Sequence, residues 1–236
     1  MNGIAEIAIP RGRAGLPLHG FTVLLVEDSR HAAESVRLLC LRSGARIRRA
    51  DSLRAARRHL ACYRPSVAIV DVGLPDGSGL KLIRDLAAAR PKVPALLAIS
   101  GDDTCAGAAL AAGADRFLDK PVRSLAAFQH AILSCLPDDL RPIGPPRAVA
   151  DGLVDPDPLA YAEDLAHAAR LLDSDAAMSG PYALQLIASA AASAGDAGLA
   201  GAASRLGAGG PGAGLAALAG LRAELDRRLA DLPGGG

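Results

Sequence analysis

The chain has 236 residues, half of them apolar, and a formal net charge of +1, which is enough material for one full domain, a smaller second one and a buried core in each. No apolar run is long enough to cross a bilayer, and the start lacks a charged segment followed by an unbroken apolar one, so neither an anchor nor a signal peptide is expected and a cytoplasmic location is. Cys40, Cys62, Cys105 and Cys135 are scattered without CxxC pairing, which reads as reduced thiols rather than a disulfide frame or a zinc site.

Residues 1–20 mix Gly, Pro and Arg without periodicity and are expected to form a mobile tail. The pattern then becomes regular. Residues 22–26 are an apolar run ending in Glu27-Asp28-Ser29, followed by apolar residues at helical spacing through Val36, Leu38, Leu39 and Leu41. The same strand-then-helix unit recurs at 45–50 with 52–63, 67–70 with 79–89, 95–99 with 104–112, and 116–118 with 124–136. Five short strands alternating with five helices predict a parallel sheet covered on both faces, an α/β doubly wound domain over 21–136. In such sheets ligands bind beyond the carboxyl ends of the strands, where the strand order reverses. Residues 137–152 hold four prolines and read as a semi-extended linker. Beyond them, 158–172, 181–194, 198–206 and 214–232 each read as helix, with Asp157, Ser179 and Asp196 near starts where an acceptor caps free amides. A small antiparallel helical bundle over 153–232 is the economical expectation.

The polar residues at the predicted strand ends are Glu27 and Asp28 after the first strand, Asp71 at the third, Ser100 after the fourth and Lys120 after the fifth. Three clustered carboxylates repel one another unless a cation neutralises them, and an all-oxygen donor set of this kind suits Mg²⁺. A carboxylate is also a nucleophile toward phosphorus when metal and ammonium groups neutralise the transferring phosphoryl.

The acid pair in 26–29, the loop Asp-Val-Gly-Leu-Pro-Asp-Gly-Ser-Gly at 71–79, Ile-Ser-Gly at 99–101 and Gly-Ala-Asp-Arg-Phe-Leu-Asp-Lys-Pro at 113–121 together resemble the receiver domain of two-component response regulators, which is CheY-like and flavodoxin-like in fold. The resemblance implies that Asp71 is the phosphoacceptor, that Glu27, Asp28, Asp71 and the Gly73 carbonyl hold Mg²⁺, and that Ser100 and Lys120 contact phosphoryl oxygens. It also implies that Phe117, with Ser100, forms the aromatic switch and that the bond before Pro121 is cis. Glu27 stands where the family more often has Asp, and Gly73 and Gly101 offer no side chain to shield the phosphoryl group. The implied donor is a histidine kinase or a histidine phosphotransfer protein. The implied role is phosphorylation-dependent signalling, not enzymatic turnover beyond the domain's own Mg²⁺-dependent phosphorylation and dephosphorylation.

Ten arginines between Arg30 and Arg64 face only Glu34 and Asp51. They are expected to form either a solvated face or a docking surface for an acidic partner, the kinase among the candidates. From residue 151 onward eleven acids outnumber five arginines, so DNA binding is not expected there. The bundle is expected to be a protein-interaction or homodimerisation module acting on a downstream protein target. Its many Ala and Gly residues should leave it marginal alone and reliant on packing against the receiver, a second copy or a target. Leu218, Leu221, Leu225 and Leu229 form a near-heptad seam. The alternative is a phosphotransfer bundle using His167, against which Arg170 and bulky Leu171 count, since they stand where that family places Lys and a small residue.

Overall fold

The computed structural model describes residues 15–142, 152–174, 176–208 and 215–232. Five strands, β1 (Thr22–Val26), β2 (Arg46–Ala50), β3 (Val67–Asp71), β6 (Ala95–Ser100) and β7 (Arg116–Asp119), form one sheet; β4 (Gly73–Leu74) and β5 (Gly77–Ser78) form a small separate hairpin. The large sheet is parallel throughout with the order β2-β1-β3-β6-β7. This is the doubly wound flavodoxin-like order, which reverses between β1 and β3. The three central strands are buried apart from Thr22, while β2 and β7, the edges, carry the exposed arginines Arg46, Arg48, Arg49 and Arg116. Charged edges discourage pairing with another sheet.

Helices α1 (Arg30–Arg42) and α5 (Leu125–Cys135) cover one face, where Val23, Leu25, Ile69 and Leu97 meet Leu39, Phe128 and Ile132. Helices α2 (Leu53–Cys62), α3 (Gly79–Ala88) and α4 (Ala106–Ala111) cover the other, where Leu24, Val70 and Leu96 meet Leu53, Ile83 and Ala109. Strand residues of alternating parity thus fill two separate cores, as a pleat of period two requires. Ser29, Ser52, Ser78 and Ser124 cap α1, α2, α3 and α5, each accepting a backbone N–H of the first turn.

Two segments outside the expected 21–136 limits belong to this unit. Leu18, expected in the tail, is fully buried in the first core, as is Val154, expected in the bundle. A bridge between Ser124 and Leu153, with the Val154 amide donating to the Arg123 carbonyl at 3.0 Å, stitches the end of the linker to the start of α5. Most of the expected linker, and Ser179 as a cap, lie outside the residues whose side chains are described.

The second unit is helical among the described residues: α6 (Pro158–Ser174), α7 (Ala176–Ala194), α8 (Ala197–Ala208) and α9 (Leu215–Asp231). Asp157 and Asp196 accept the Leu159 and Leu199 amides at 2.9 and 3.1 Å, the capping roles expected of them. Helix α7 begins five residues earlier than its proline suggested and runs through Pro181, which forfeits one backbone hydrogen bond to the preceding turn. The core is Leu and Ala: Leu165, Leu184, Ile187, Ala190, Leu199 and Ala203, closed by Leu221 and Leu225 of α9. The α9 leucine seam therefore packs within its own unit. The unit sits on the α/β unit, with α6 and α7 against α1 and α7 against β4.

Candidate functional site

The strand ends at the reversal of sheet order place Glu27 and Asp28, which follow β1, beside Asp71, the last residue of β3. Their carboxylate oxygens include a set that lies within 4.8 Å of one another. Two features hold this arrangement. The Arg49 guanidinium donates to the Glu27 and Asp28 carbonyls at 3.1 and 2.7 Å, pinning the acid pair's backbone. Residue 79 must be glycine, since a Cβ there would lie 1.9 Å from the Asp71 carbonyl oxygen.

Lys120 follows β7 after crossing to the same sheet end, with the bond to Pro121 cis as expected. Its ammonium is 2.7 Å from Glu27 Oε2 and 2.8 Å from Asp71 Oδ2, with all three side chains nearly inaccessible. A buried ion triad is stable only while it stays paired. Burial alone would lower the Lys120 ammonium, but the Asp71 and Glu27 carboxylates outweigh it and hold it above its ordinary range. Burial pushes Glu27 well above the usual carboxylate range, opposed by Lys120 and reinforced by Asp71 and Asp28. Burial, then the Asp71 charge, raises Asp28 to about 6. Two acids pushed up by burial and mutual repulsion are the signature of a pocket with more negative charge than its one lysine neutralises. A divalent cation fits that deficit and that all-oxygen donor set.

The other expected residues fall around this cluster. Ser100, nearly buried, ends β6, and its hydroxyl accepts the Asp102 amide at 3.1 Å. Gly73 lies in β4, its amide donating to Asp71 Oδ1 at 3.2 Å. Phe117 lies in β7, half-buried against the core of α2, α3 and α4. His167 is exposed on α6, and no contact joins it to the cluster among the described residues.

What the sequence reading missed is that α7 supplies side chains to the same place. The Ser189 hydroxyl lies 2.6 Å from Lys120 Nζ, and the Tyr182 hydroxyl donates to Asp28 Oδ2 at 3.0 Å. A Cβ on Gly73 would lie 1.2 Å from Gln185 Nε2, and one on Gly101 would lie 2.8 Å from Ala192 Cβ. Tyr182, Gln185, Ser189 and Ala192 are spaced i, i+3, i+7 and i+10, one face of a helix. That polar stripe on an otherwise Ala- and Leu-rich helix was the available signal. Asp164 of α6 adds a second anchor: its carboxylate accepts the Ser29 hydroxyl at 2.8 Å and the Arg30 and His31 amides at 3.0 Å each, capping the start of α1. At the other end of α7, Arg123 donates to the Ala194 carbonyl at 3.1 Å.

Residues 23–132 match the family described as the response regulator receiver domain. Among curated proteins, the KDP operon transcriptional regulatory protein KdpE of Escherichia coli is 35% identical over 99 residues, which is 42% of this chain and 44% of that one. The virulence transcriptional regulatory protein PhoP of Salmonella typhimurium is 33% identical over 100 residues, 42% of this chain and 45% of that one. The match thus spans less than half the length of either relative. Among solved structures, the response regulator receiver domain (CheY-like) from Methylobacillus flagellatus is similar at 28% identity, covering 49% of this chain and 98% of that one with a TM-score of 0.45.

Proposed function

Residues 23–132 being a response regulator receiver domain of the two-component type, we propose that Asp71 is its phosphoacceptor and that the chain relays phosphorylation from a histidine kinase or histidine phosphotransfer protein into a change of protein contacts. The observation that carries this is the placement of the buried Lys120 ammonium between Glu27 and Asp71, beside Asp28, at the point where the sheet order reverses. Asp71 supplies the attacking carboxylate oxygen: an oxygen–phosphorus bond forms as the donor's nitrogen–phosphorus bond breaks, and the donor imidazole leaves. Lys120 stays charged throughout and offers positive charge to the transferring oxygens. Glu27, Asp28, Asp71 and the Gly73 carbonyl would hold Mg²⁺, which when bound neutralises the phosphoryl oxygens. Ser100, whose oxygen accepts the Asp102 amide, would donate its hydroxyl to a phosphoryl oxygen, and Phe117 would act with it as the switch. Acetyl phosphate with Mg²⁺ should label the chain, and Asp71→Asn should abolish the label; undiminished labelling of that variant removes the assignment.

The output reading is a protein-interaction unit. Its support is that α6 and α7 already bind a protein surface, that of the receiver itself. The alternative through His167 is not favoured, since His167 is exposed on α6 and it is α7 that reaches Lys120 and Asp28. The relatives named as transcriptional regulators, each matched over 42% of this chain, lend the reading against DNA no support. The reading against DNA rests instead on the acidic balance of the helical unit.

A further inference from the structure

We propose that α7 is a displaceable plug of the phosphoryl site: docking of the helical unit and occupancy of Asp71 by Mg²⁺ and phosphoryl exclude one another. The proposal rests on Asp71 being the acceptor, and it assigns the covering helix a regulatory role.

The exclusion follows from what each group has left to offer. Lys120 Nζ, with oxygens of Glu27, Asp71 and Ser189 at 2.7, 2.8 and 2.6 Å, has only three protons to offer. A phosphoryl oxygen on Asp71 needs one of them. Giving up Glu27 would strand a buried carboxylate, whereas Ser189 is a neutral hydroxyl on a helix that can lift. Asp28 presents the same choice, because its Oδ1 accepts the Ser29 amide and its Oδ2 the Tyr182 hydroxyl, leaving neither oxygen uncommitted for a cation. Space is taken as well as valence. Gln185 fills the volume over Gly73 and Ala192 that over Gly101, so the two positions lacking a shielding side chain are seats for α7. A macromolecular donor approaching over Asp71 meets α6 and α7 on the α1 side too.

The same contacts make the plug removable. Tyr182, Ser189, Asp164 and Arg123 join the two units through hydrogen bonds, groups that water satisfies once they part, at a net cost of about 1 kcal/mol per bond. Leu165, Leu184, Leu186 and Ile187 of α6 and α7 stay within the helical core, so the unit can leave as a body. Closed molecules reduce the apparent affinity for Mg²⁺ by the fraction that is open.

The test uses the full chain, with Ala192→Glu to force a side chain against Gly101 and Asp164→Ala to remove the α1 anchor. Neither residue belongs to the acceptor machinery. Calorimetric titration with Mg²⁺ alone, and the rate of labelling by acetyl phosphate, are compared with wild type while circular dichroism follows helix content. Apparent Mg²⁺ affinity and labelling rate should both rise, about tenfold in Ala192→Glu and at least about fivefold in Asp164→Ala, the worth of one of the three hydrogen bonds that Asp164 accepts. Wild-type values of both quantities in both variants overturn the plug. Label persisting in Asp71→Asn would instead indict the acceptor assignment, and the Mg²⁺ titration would still read the plug.

Discussion

The receiver and the helical unit bury similar side chains but hold their polar groups in different ways. In the receiver the chemistry is internal: Glu27, Asp71 and Lys120 are buried and committed to one another. In the helical unit the core is Leu, Ile and Ala, its arginines pair with acids at the surface, as in Arg222 with Asp173 and Arg228 with Asp196, and its remaining distinctive polar groups turn toward the receiver. A site made of buried charges must be specified residue by residue, so it leaves a motif. A surface that only complements another surface uses ordinary residues at ordinary spacing.

The change expected to break this contrast most is Lys120→Met, which leaves Glu27 and Asp71 buried without their cation. It should destabilise the receiver by about 3–5 kcal/mol in urea unfolding, with Mg²⁺ recovering part of the loss, and should abolish efficient labelling. Next is Leu225→Ala in the fully buried centre of the helical core, expected to cost that unit about 2–5 kcal/mol. If the units are joined as loosely as their polar interface implies, a melt should then show the helices lost before the sheet. One shared transition, lowered as a whole, would show the two folding as a single body.

Smaller is the effect of pH through His31, which lies buried between α1 and α6 with its ring centroid 5.5 Å from that of Tyr161. Burial holds its pKa below the ordinary 6.5 against the Asp164 carboxylate and the Asp157 and Ser193 backbones, with Arg123 acting in the same direction as burial. The neutral ring is therefore the folded form, so its contribution is complete above about 6.5 and declines as pH falls below that value. The stability difference between wild type and His31→Gln should shrink on acidification; a difference that is flat or grows contradicts this placement. The smallest response expected is to DNA. Residues from 151 onward hold eleven acids against five arginines, so fluorescence anisotropy with random duplex at physiological salt should not change, and a saturable rise would return the output to nucleic acid.

Strand–helix alternation and the polar residues at strand ends made the receiver legible in the sequence, because both are local patterns. Its edges were not. Leu18 and Val154 look like parts of a tail and of the bundle, and only the three-dimensional core recruits them. The four helices of the second unit were legible from apolar spacing, and so was the need to name a surface for it to pack on. Which partner was not. Gly73 and Gly101 read as gaps over the phosphoryl site, and Tyr182, Gln185 and Ser189 drew no reading; their spacing marks one helix face, but what that face fits is a distant segment. The basic stretch splits in the same way. Arg49 holds the acid pair and Arg30 pairs with Glu163 of α6, while Arg54, Arg57 and Arg58 remain exposed.

One surface of the receiver serves either α7 or the phosphoryl group. Amide hydrogen exchange across α6 and α7 of the full chain, with and without Mg²⁺ plus beryllofluoride as a phosphoryl mimic on Asp71, tests it most directly. Faster exchange is expected in those helices and at the start of α1 when the mimic is bound, with the central strands unchanged. Unchanged or slower exchange in α7 with the mimic demonstrably bound would contradict it.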